Sequence, residues 1–265
     1  MRGRTLEALI SAALWLVPAL GLAQTAVDGL AEAQACARKN LPSRTFEMRA
    51  TFTKVDRVGG ERVSRAKVIG KKLDDGLQRA VLRFDKPTDV RGTAMLMIEN
   101  ASGPSVFYVY TPEQRRTRRI SGKSSGGLFG TDFSYDDFEN WRGFGKRSKA
   151  ERLPDAVEAG RPVYVLAGAP AAEDDSSYER VVSYVDRETC VVLHTSLQGI
   201  GDRVLKELIV DFPDVEKQGQ RWLPRKVRLR NLANDSETRL TLEKVEFELE
   251  LSDRLFTQGE LAKGH

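Results

Sequence analysis

The stretch Val106–Trp141, VFYVYTPEQRRTRRISGKSSGGLFGTDFSYDDFENW, carries the most information about the fold. It begins with a predicted strand, in which Tyr108 and Tyr110 share one face and the residues between them share the other. Pro112 ends this strand, because proline has no N–H to donate to a strand ladder. The stretch therefore predicts that a strand ends and a loop begins near the middle of the chain.

After Pro112 the sequence is first basic, then rich in glycine and serine, and then acidic. The basic run contains four arginines: Arg115, Arg116, Arg118 and Arg119. The glycine- and serine-rich part predicts a mobile loop, and it lacks the Gly-x-x-x-x-Gly-Lys-Ser/Thr order of a phosphate-binding loop. The segment Gly130–Asp137, GTDFSYDD, predicts entry into a short helix. Asp132 or Ser134 would be its N-cap, and acidic residues occupy the first turn, where the helix dipole favours them.

The arginine run has three interpretations that the sequence leaves open. It could be a solvated strand face with no specific role. It could contact lipid headgroups or a membrane surface, where clustered basic residues gain ~1 kcal/mol each, or it could dock on the acidic periplasmic part of a transporter. Arg115, Arg116 and Arg118 are the predicted contacts in the last two cases. Arg118 and Arg119 could also form salt bridges to the aspartates of GTDFSYDD and fix the loop.

Outward from this stretch, the chain is a succession of short alternating runs separated by turn residues, which is typical of an antiparallel sheet or barrel. Before it, strands are predicted over residues 46–55, 62–70, 78–84 and 93–99. After it, they are predicted over residues 162–167, 178–186, 190–197, 204–212, 222–231 and 238–251. In the last run the apolar positions change parity near Glu243 and Lys244, which predicts a β-bulge.

Residues 1–23 predict a secretory signal peptide. Arg2 and Arg4 form a positive start, an apolar run follows, and small residues end at Ala23. A membrane anchor is the alternative, but the run is shorter than the ~20 residues of a spanning helix and contains Pro18. The signal predicts that residues 24–265 are exported to the periplasm. They are predicted to form one domain, because no linker or repeat divides them.

The residues that follow the signal predict an amphipathic helix from Val27 to Lys39, which could pack on the sheet or act as a lid. It contains Cys36, and the only other cysteine is Cys190. An exported protein can join them in a disulfide that ties the helix to the sheet, and the sequence leaves this pairing open. A reactive thiol lacks a partner, because His194 lies well away from Cys190 along a strand.

Composition and motifs argue against several function classes. With 42 basic and 38 acidic residues the net charge is +4, which is too even to indicate nucleic acid, and the export signal also argues against that partner. Two histidines, His194 and His265, provide nothing spaced as a metal site. No Gly-x-Ser-x-Gly elbow accompanies His194. The sequence predicts no metal, no cofactor and no enzymatic activity; an enzyme would have to use His194 or Cys190.

Several motifs together resemble a known family. Asp85-Lys86-Pro87 precedes Arg91-Gly92-Thr93-Ala94, the central stretch combines Tyr-x-Pro, RRxRRI and FGTDFSYDD, and Leu255-Phe256-Thr257 precedes Leu261. In this order they resemble the outer membrane lipoprotein-sorting proteins of the LolA-like class, in the branch associated with RND/MMPL-type exporters. The resemblance implies a mainly β fold: a strongly curved antiparallel sheet, an unclosed half-barrel of the LolA or LppX kind, covered by helices.

The resemblance also implies an acyl-chain cavity between the sheet and its covers, which would be the helices near Val27 and Asp132. Its motif carries over the predicted cavity mouth: Arg119, Gly130, Asp132 and Tyr135. The predicted lipid-binding residues are Leu82, Phe84, Leu96, Ile98, Val109, Tyr110 and Phe133. The concave face is not determined by the sequence, and the opposite choice replaces Leu96 and Ile98 with Met95 and Met97.

The function that the sequence predicts is a periplasmic carrier. It would take lipid or lipoprotein acyl chains from an RND/MMPL-type inner-membrane transporter toward the outer membrane, with transient contact to a membrane surface. The alternative is an accessory or docking subunit of an RND-type transporter that binds no lipid.

Overall fold

The computed structural model describes residues 22–120, 127–141, 149–171 and 176–263. The predicted signal peptide therefore lies almost wholly outside the described residues, as do most of the predicted mobile loop and His265. Its cleavage near Ala23 stays a prediction. Across the described residues, no helix combines the length and the apolar character needed to cross a membrane.

The described part of the chain is mostly strand, with three α-helices: α1 (Leu22–Arg38), α2 (Tyr135–Trp141) and α3 (Gln258–Leu261). In this part, thirteen strands form one antiparallel sheet, and two more form a separate ribbon. The strands are β1 (Thr45–Val55), β2 (Glu61–Lys72), β3 (Gln78–Lys86), β4 (Ala94–Ile98), β5 (Val106–Thr111), β6 (Arg116–Ile120), β7 (Lys149–Glu158), β8 (Arg161–Ala169), β9 (Arg180–Asp186), β10 (Val192–Gln198), β11 (Val204–Ile209), β12 (Val215–Gln218), β13 (Arg221–Pro224), β14 (Lys226–Asn231) and β15 (Ser236–Phe247).

The large sheet is two meanders joined in the middle. Its order is β6-β5-β4-β3-β2-β1-β15-β14-β11-β10-β9-β8-β7, so β6 and β7 are its edges and the sheet does not close into a barrel. The C-terminal strand β15 returns to pair with β1, and 10 residue pairs form along this junction. The predicted unclosed antiparallel half-barrel is confirmed.

The sheet is strongly curved, and two side-chain contacts show which face is concave. Strands β5 and β11 are seven strand positions apart, which would be ~33 Å in a flat sheet. Yet the Tyr135 ring lies 5.1 Å from the Phe107 ring of β5, and the Asp137 carboxylate lies 2.7 Å from Lys206 of β11. Tyr135 and Asp137 are neighbours on α2, so α2 lies on the concave face.

A β-bulge adds to the curvature where β1 meets β15. Arg49 pairs with Lys244 and Ala50 pairs with Leu242, so Glu243 is the extra residue. A bulge bends the strand and lets its apolar residues change parity without leaving the core. The bulge predicted at Glu243 and Lys244 is confirmed.

Helix α1 lies on the same face as α2, at the β7–β9 end. A row of directly paired residues crosses the sheet: Leu166, Ser183, Thr195, Leu208, Leu229 and Thr238. Directly paired residues point to the same face. Leu166 packs with Ala33 and Cys36 of α1, and Thr238 at the other end of the row bonds the segment that leads into α2.

Cys36 of α1 and Cys190 form a disulfide, with 5.0 Å between their Cα atoms. Cys190 lies in the turn between β9 and β10, so the bond ties α1 to the sheet. Asn40 adds two hydrogen bonds just beyond the helix: its amide donates to the Thr189 carbonyl and accepts from the Trp222 N–H.

One predicted strand is divided in the structure, and another strand was missed. The run 222–231 is divided at Pro224, because β13 pairs with β12 and β14 pairs with β15. Strand β7 was not predicted: Pro154 interrupts its pattern, and its register against β8 shifts between Leu153 and Ala156. Proline cannot donate to the ladder, so it stands at strand ends and irregular positions.

Candidate functional site

Residues Gly127–Trp141, here called the plug, lie on the concave face. The plug begins with a short 3-10 helix, Leu128–Gly130, in which Phe129 and Gly130 have φ of 52° and 79°. The turn is tight: a Cβ on Gly127 would lie 1.8 Å from the Thr131 carbonyl oxygen. Glycine is therefore needed at the entrance of the plug.

Helix α2 of the plug starts with a reciprocal cap. The Ser134 N–H donates to the Asp137 carboxylate at 2.7 Å, and the Asp137 N–H donates to the Ser134 hydroxyl at 3.3 Å. This arrangement satisfies two N–H groups at the helix start. Ser134 is thus the N-cap, and Asp132 has a different role.

Aromatic side chains fill the space between the plug and the sheet. Phe133 is fully buried and lies edge-on to Phe52 of β1, with 5.9 Å between ring centroids. Phe129 packs on Phe84 of β3 at 5.1 Å. Such pairs contribute about 0.5–1.5 kcal/mol each beyond the area they bury, so the plug is well seated.

Asp132 anchors the plug to the junction of the two meanders. Its carboxylate accepts hydrogen bonds from the hydroxyls of Ser236 and Thr238 at 2.7 and 2.8 Å. Lys54 of β1 forms a salt bridge to it at 3.1 Å. The carboxylate is almost fully buried, so these donors replace the water that it loses.

Asp137 forms a second anchor with Lys206 of β11, whose Nζ lies 2.7 Å from the carboxylate. The same Nζ donates to the Asp132 carbonyl oxygen at 2.9 Å. Tyr178 also donates its hydroxyl proton to Asp137. Burial and the charge of Asp137 raise the pKa of Tyr178, which keeps the tyrosine a donor.

Asp136 forms a third, more peripheral anchor. It accepts hydrogen bonds from the Ser176 hydroxyl at 2.8 Å and from the Ser177 N–H at 2.6 Å. Burial raises its pKa, and the hydrogen bonds oppose that effect. The plug is therefore held by three carboxylates, Asp132, Asp136 and Asp137, whose partners lie on different strands or loops.

A small cavity lies between the plug and the sheet. It has a volume of ≈ 10 Å³, about enough for one water molecule. Its lining is apolar apart from one threonine: Phe52, Leu82, Phe84, Met95, Leu128, Phe129, Thr131, Phe133 and Phe138. An acyl chain fits on this face only if the plug moves away.

Comparison with known proteins gives the family and the fold. The family model that matches residues 76–263 is described as "Uncharacterized protein". The chain belongs to this family. No curated protein matches its sequence.

Solved structures share the fold across most of the chain. An outer membrane lipoprotein-sorting protein domain from Vibrio parahaemolyticus has a TM-score of 0.80 at 21% identity, covering 89% of this chain and 99% of its own. A DUF1329 family protein from Desulfovibrio piger has a TM-score of 0.81 at 23% identity, with 89% and 98% covered. A LolA superfamily protein from Nitrosomonas europaea has a TM-score of 0.65 at 16% identity, with 88% and 98% covered. The fold is LolA-like, as the resemblance implied.

In this LolA-like fold the seven predicted lipid-binding residues are divided between the two faces. Leu82, Phe84, Val109 and Phe133 belong to the concave core cluster. Leu96, Ile98 and Tyr110 lie on the convex face, against the C-terminal segment. Strand alternation made both choices of face equally consistent with the sequence. Met95 and Met97 occupy the concave positions instead. The predicted placement of Leu96, Ile98 and Tyr110 on the concave face was therefore wrong.

The predicted mouth residues also separate. Gly130, Asp132 and Tyr135 all lie in the plug, and burial raises the pKa of Tyr135 to about 12. Arg119 does not join them: it pairs with Tyr108 on β6 and is exposed. The expected salt bridges from Arg118 and Arg119 to the aspartates are absent among the described residues, because lysines and hydroxyl groups occupy those carboxylates.

The arginine run forms the edge strand β6 and the turn before it. Arg115, Arg116, Arg118 and Arg119 are exposed, and within the described ranges none has an ion pair. Cross-strand pairing with Val109 places Arg118 on the concave side, while Arg119 points to the convex side. The run thus forms an exposed basic rim beside the plug, without an ion-pair partner among the residues that the structure describes.

Sequence reasoning missed the basic anchors Lys54 and Lys206. A signal existed for Lys206: it alternates in phase with Leu208 and Val210, which are core residues. A lysine on the apolar side of a strand is rarely buried unless paired. Pairing it with Asp137 would have needed the curvature of the sheet, which the sequence does not give.

His194, the residue that an enzymatic interpretation would use, lies outside the plug. It stacks on Tyr184 with ring centroids 5.1 Å apart, between Glu158 and Glu207 at 3.5 and 3.6 Å. The described residues contain no cluster of three or more potential metal ligands.

Proposed function

We propose that this protein is a periplasmic carrier that binds lipid or lipoprotein acyl chains on its concave face, in exchange for the plug. The observation that carries the proposal is a large apolar concave face closed by a segment of the protein itself. The names of its structural neighbours in Vibrio parahaemolyticus and Nitrosomonas europaea support lipoprotein sorting as the field of function.

The composition of the site suits exchange. Each methylene of an acyl chain that leaves water contributes ~0.8 kcal/mol, so a chain that covers Phe52, Phe84 and Met95 can compete with the plug aromatics. The plug is held in place by buried ion pairs, whose net contribution to stability is small because desolvation offsets their attraction. A segment seated in this way has a defined closed position without being permanently fixed.

The basic rim suits contact with an anionic surface during loading or release. Arg115, Arg116 and Arg118 are exposed next to the plug and carry no carboxylate partner within the described part of the chain. They would contact lipid headgroups at a membrane surface or the periplasmic part of an RND/MMPL-type transporter that delivers the cargo. The direction of transfer toward the outer membrane belongs to the same proposal.

The proposal is tested by lipid extraction and mass spectrometry on gently purified protein, with a matched pair of variants. Met95 and Leu96 are adjacent and both buried, but Met95 faces the concave cluster and Leu96 the convex one. We expect wild type and Leu96→Gln to carry a lipid or acylated peptide at near-stoichiometric level, and Met95→Gln to lose it. Circular dichroism checks that both variants fold.

An empty protein that also fails to take up a fluorescent acyl probe after delipidation would refute the carrier. The exposed basic rim would then favour the second candidate, a docking subunit of an RND-type transporter that binds no lipid. That function predicts loss of transporter binding in an Arg115→Gln, Arg116→Gln, Arg118→Gln variant.

A further inference from the structure

A pocket on the opposite face of the sheet is lined by three basic side chains. It has a volume of ≈ 340 Å³ and is formed by Val63, Arg65, Lys86, Pro87, Thr88 and Arg91. Arg65 of β2 is paired directly with Lys86 of β3. Its neighbour Ala66 belongs to the concave core, so Arg65 and the pocket are on the convex face.

The three cations have no carboxylate partner within the described residues. Like charges placed directly opposite each other on neighbouring strands are destabilising, and Arg65 and Lys86 are such a pair. Arg91 donates a hydrogen bond from Nε to the Asp85 carbonyl oxygen at 3.2 Å, which fixes the side chain but does not neutralise its charge.

The two acids nearest to this pocket in sequence, Asp85 of β3 and Asp89 of the β3–β4 turn, are paired elsewhere. Asp85 lies 3.7 Å from Arg49, and Asp89 forms a salt bridge with Arg62. The hydrogen bond from Arg62 lowers the pKa of Asp89, so this carboxylate stays charged and bound to Arg62. Neither acid lines the pocket, so no carboxylate among the described residues neutralises its three cations.

From this arrangement we infer that the pocket of Arg65, Lys86 and Arg91 binds a phosphate-class anion. Guanidinium groups bind phosphate oxygens through paired charge-assisted hydrogen bonds, and an ammonium group adds a compact charge. The Thr88 hydroxyl is a further donor in the lining. This site is separate from the concave face, so its occupation does not require an acyl chain.

The position of the pocket shows how a phosphate could be presented to it. The turns β1–β2, β3–β4 and β5–β6 all lie at the same end of the strands, since alternate connections of an antiparallel meander share an end. Gly92 of the β3–β4 turn lies against Pro112 of the β5–β6 turn. The pocket is therefore next to the turn that carries Arg115, whose side chain is exposed.

Two probes test the site and separate its possible sources of phosphate: inorganic phosphate by isothermal titration calorimetry, and flotation with vesicles of phosphatidylglycerol or phosphatidylcholine. The test variant is Arg65→Gln with Arg91→Gln. The control is Lys226→Gln with Lys244→Gln, which removes the same charge from side chains that are 60% and 62% exposed on β14 and β15. We expect phosphate affinity to fall at least about tenfold in the test variant and to be unchanged in the control.

Binding of inorganic phosphate and of both vesicle types would indicate a general phosphate site. Binding of phosphatidylglycerol vesicles alone would indicate a headgroup site that needs the membrane surface. Equal loss in both variants would overturn the site, because it would show a general charge effect, and so would no binding by wild type. If the double variant does not fold, Lys86→Gln alone replaces it. The lipid content of the concave face is measured on the same samples, so failure of this site and failure of the carrier are distinguishable.

Discussion

Strands β3, β4 and β5 are covered on both faces, and the two covers are held in different ways. The plug covers the concave face with aromatic contacts and three carboxylate anchors. The C-terminal segment 251–261 covers the convex face mainly with apolar side chains, and Phe256 and Leu261 are almost fully buried against Val81, Ala94 and Leu96. Asp253 of this segment lies at the surface, whereas Glu260 is buried and forms ion pairs with Arg254 and Lys263.

The difference teaches which cover is suited to move. An apolar cover stabilises the closed state and has no favourable open state, because its release would expose the buried apolar surface to water. A buried ion pair gives little net stability but a defined position. The plug therefore combines a specific closed state with a modest cost of release, provided that an apolar ligand replaces its aromatics. The C-terminal segment has the properties of a permanent part of the core.

The largest expected effect comes from removing one buried phenyl ring from each cover. Phe133 and Phe256 are both fully buried, and Phe→Ala in such a position costs about 3–5 kcal/mol of the free energy of unfolding. We expect both variants to lose stability by this amount in chemical denaturation. Only Phe133→Ala should also increase the uptake of a fluorescent acyl probe, because it weakens the cover of the concave face.

Phe256→Ala is the matched control for that gain. A rise in probe uptake in both variants would mean that general loosening, and not release of the plug, admits the ligand. A fall in uptake with Phe133→Ala alone would mean that Phe133 contacts the ligand directly and that the plug is part of the binding surface.

The next effect separates the ion-pair anchors from the aromatics. Lys206→Met leaves Asp137 buried without its cation, and breaking one side of a buried pair costs about 3–5 kcal/mol. Lys226→Met is the control: Lys226 pairs with Asp214 at 2.8 Å but is exposed, and such pairs contribute about 0–1 kcal/mol. Thermal and chemical denaturation measure both.

The double variant Lys206→Met, Asp137→Asn decides what the anchor contributes, because asparagine removes the charge but keeps an acceptor for the Ser134 N–H. We expect it to recover most of the loss, because no charge is then left buried. No recovery would show that the pair stabilises the plug strongly, which contradicts the easy exchange proposed above.

The sequence predicted the architecture better than the site. Alternation located most strands, the parity change at Glu243 located the bulge, and the GTDFSYDD motif located the short helix of the plug, with Asp132 and Ser134 as the two candidate N-caps. These features are local, so a few residues determine them. The signal peptide and the cleavage point near Ala23 stay predictions.

The parts that the sequence could not give depend on curvature. Met95 and Leu96 are equally apolar neighbours, and only the direction in which the sheet bends makes one of them concave. Lys206 and Asp137 are 69 positions apart in the chain and meet because β5 and β11 curl toward each other. The possible salt bridges from Arg118 and Arg119 to the plug aspartates are not formed within the described part of the chain for the same reason. These arginines are near the aspartates in the sequence, but the curved sheet brings Lys54 and Lys206 closer in space.

The smallest expected effect is on the pH dependence of the free energy of unfolding. Its slope should have opposite signs for the acidic groups of the two covers. Burial raises the pKa of Asp136 in the plug above its ordinary value of 3.8, and the charge of Asp137 acts in the same direction. The folded state therefore holds this proton more tightly than the unfolded state, so the associated stability is present below pH 3.8 and is lost as the pH rises through the folded pKa. The hydrogen bond from Lys71 lowers the pKa of Asp253 in the C-terminal segment, so its contribution is present above pH 3.8 and is lost as the pH falls.

Denaturation of wild type, Asp136→Asn and Asp253→Asn between pH 3 and pH 7 measures both slopes. Relative to Asp136→Asn, wild type should lose stability as the pH rises; relative to Asp253→Asn, it should gain. The second slope should also disappear at high salt, because Asp253 is 70% exposed and screening acts on exposed pairs first. Slopes of the same sign would mean that Asp136 is ionised in the seated plug at little cost. The peripheral anchor would then resist release at neutral pH, and exchange would have to depend on the apolar ligand alone.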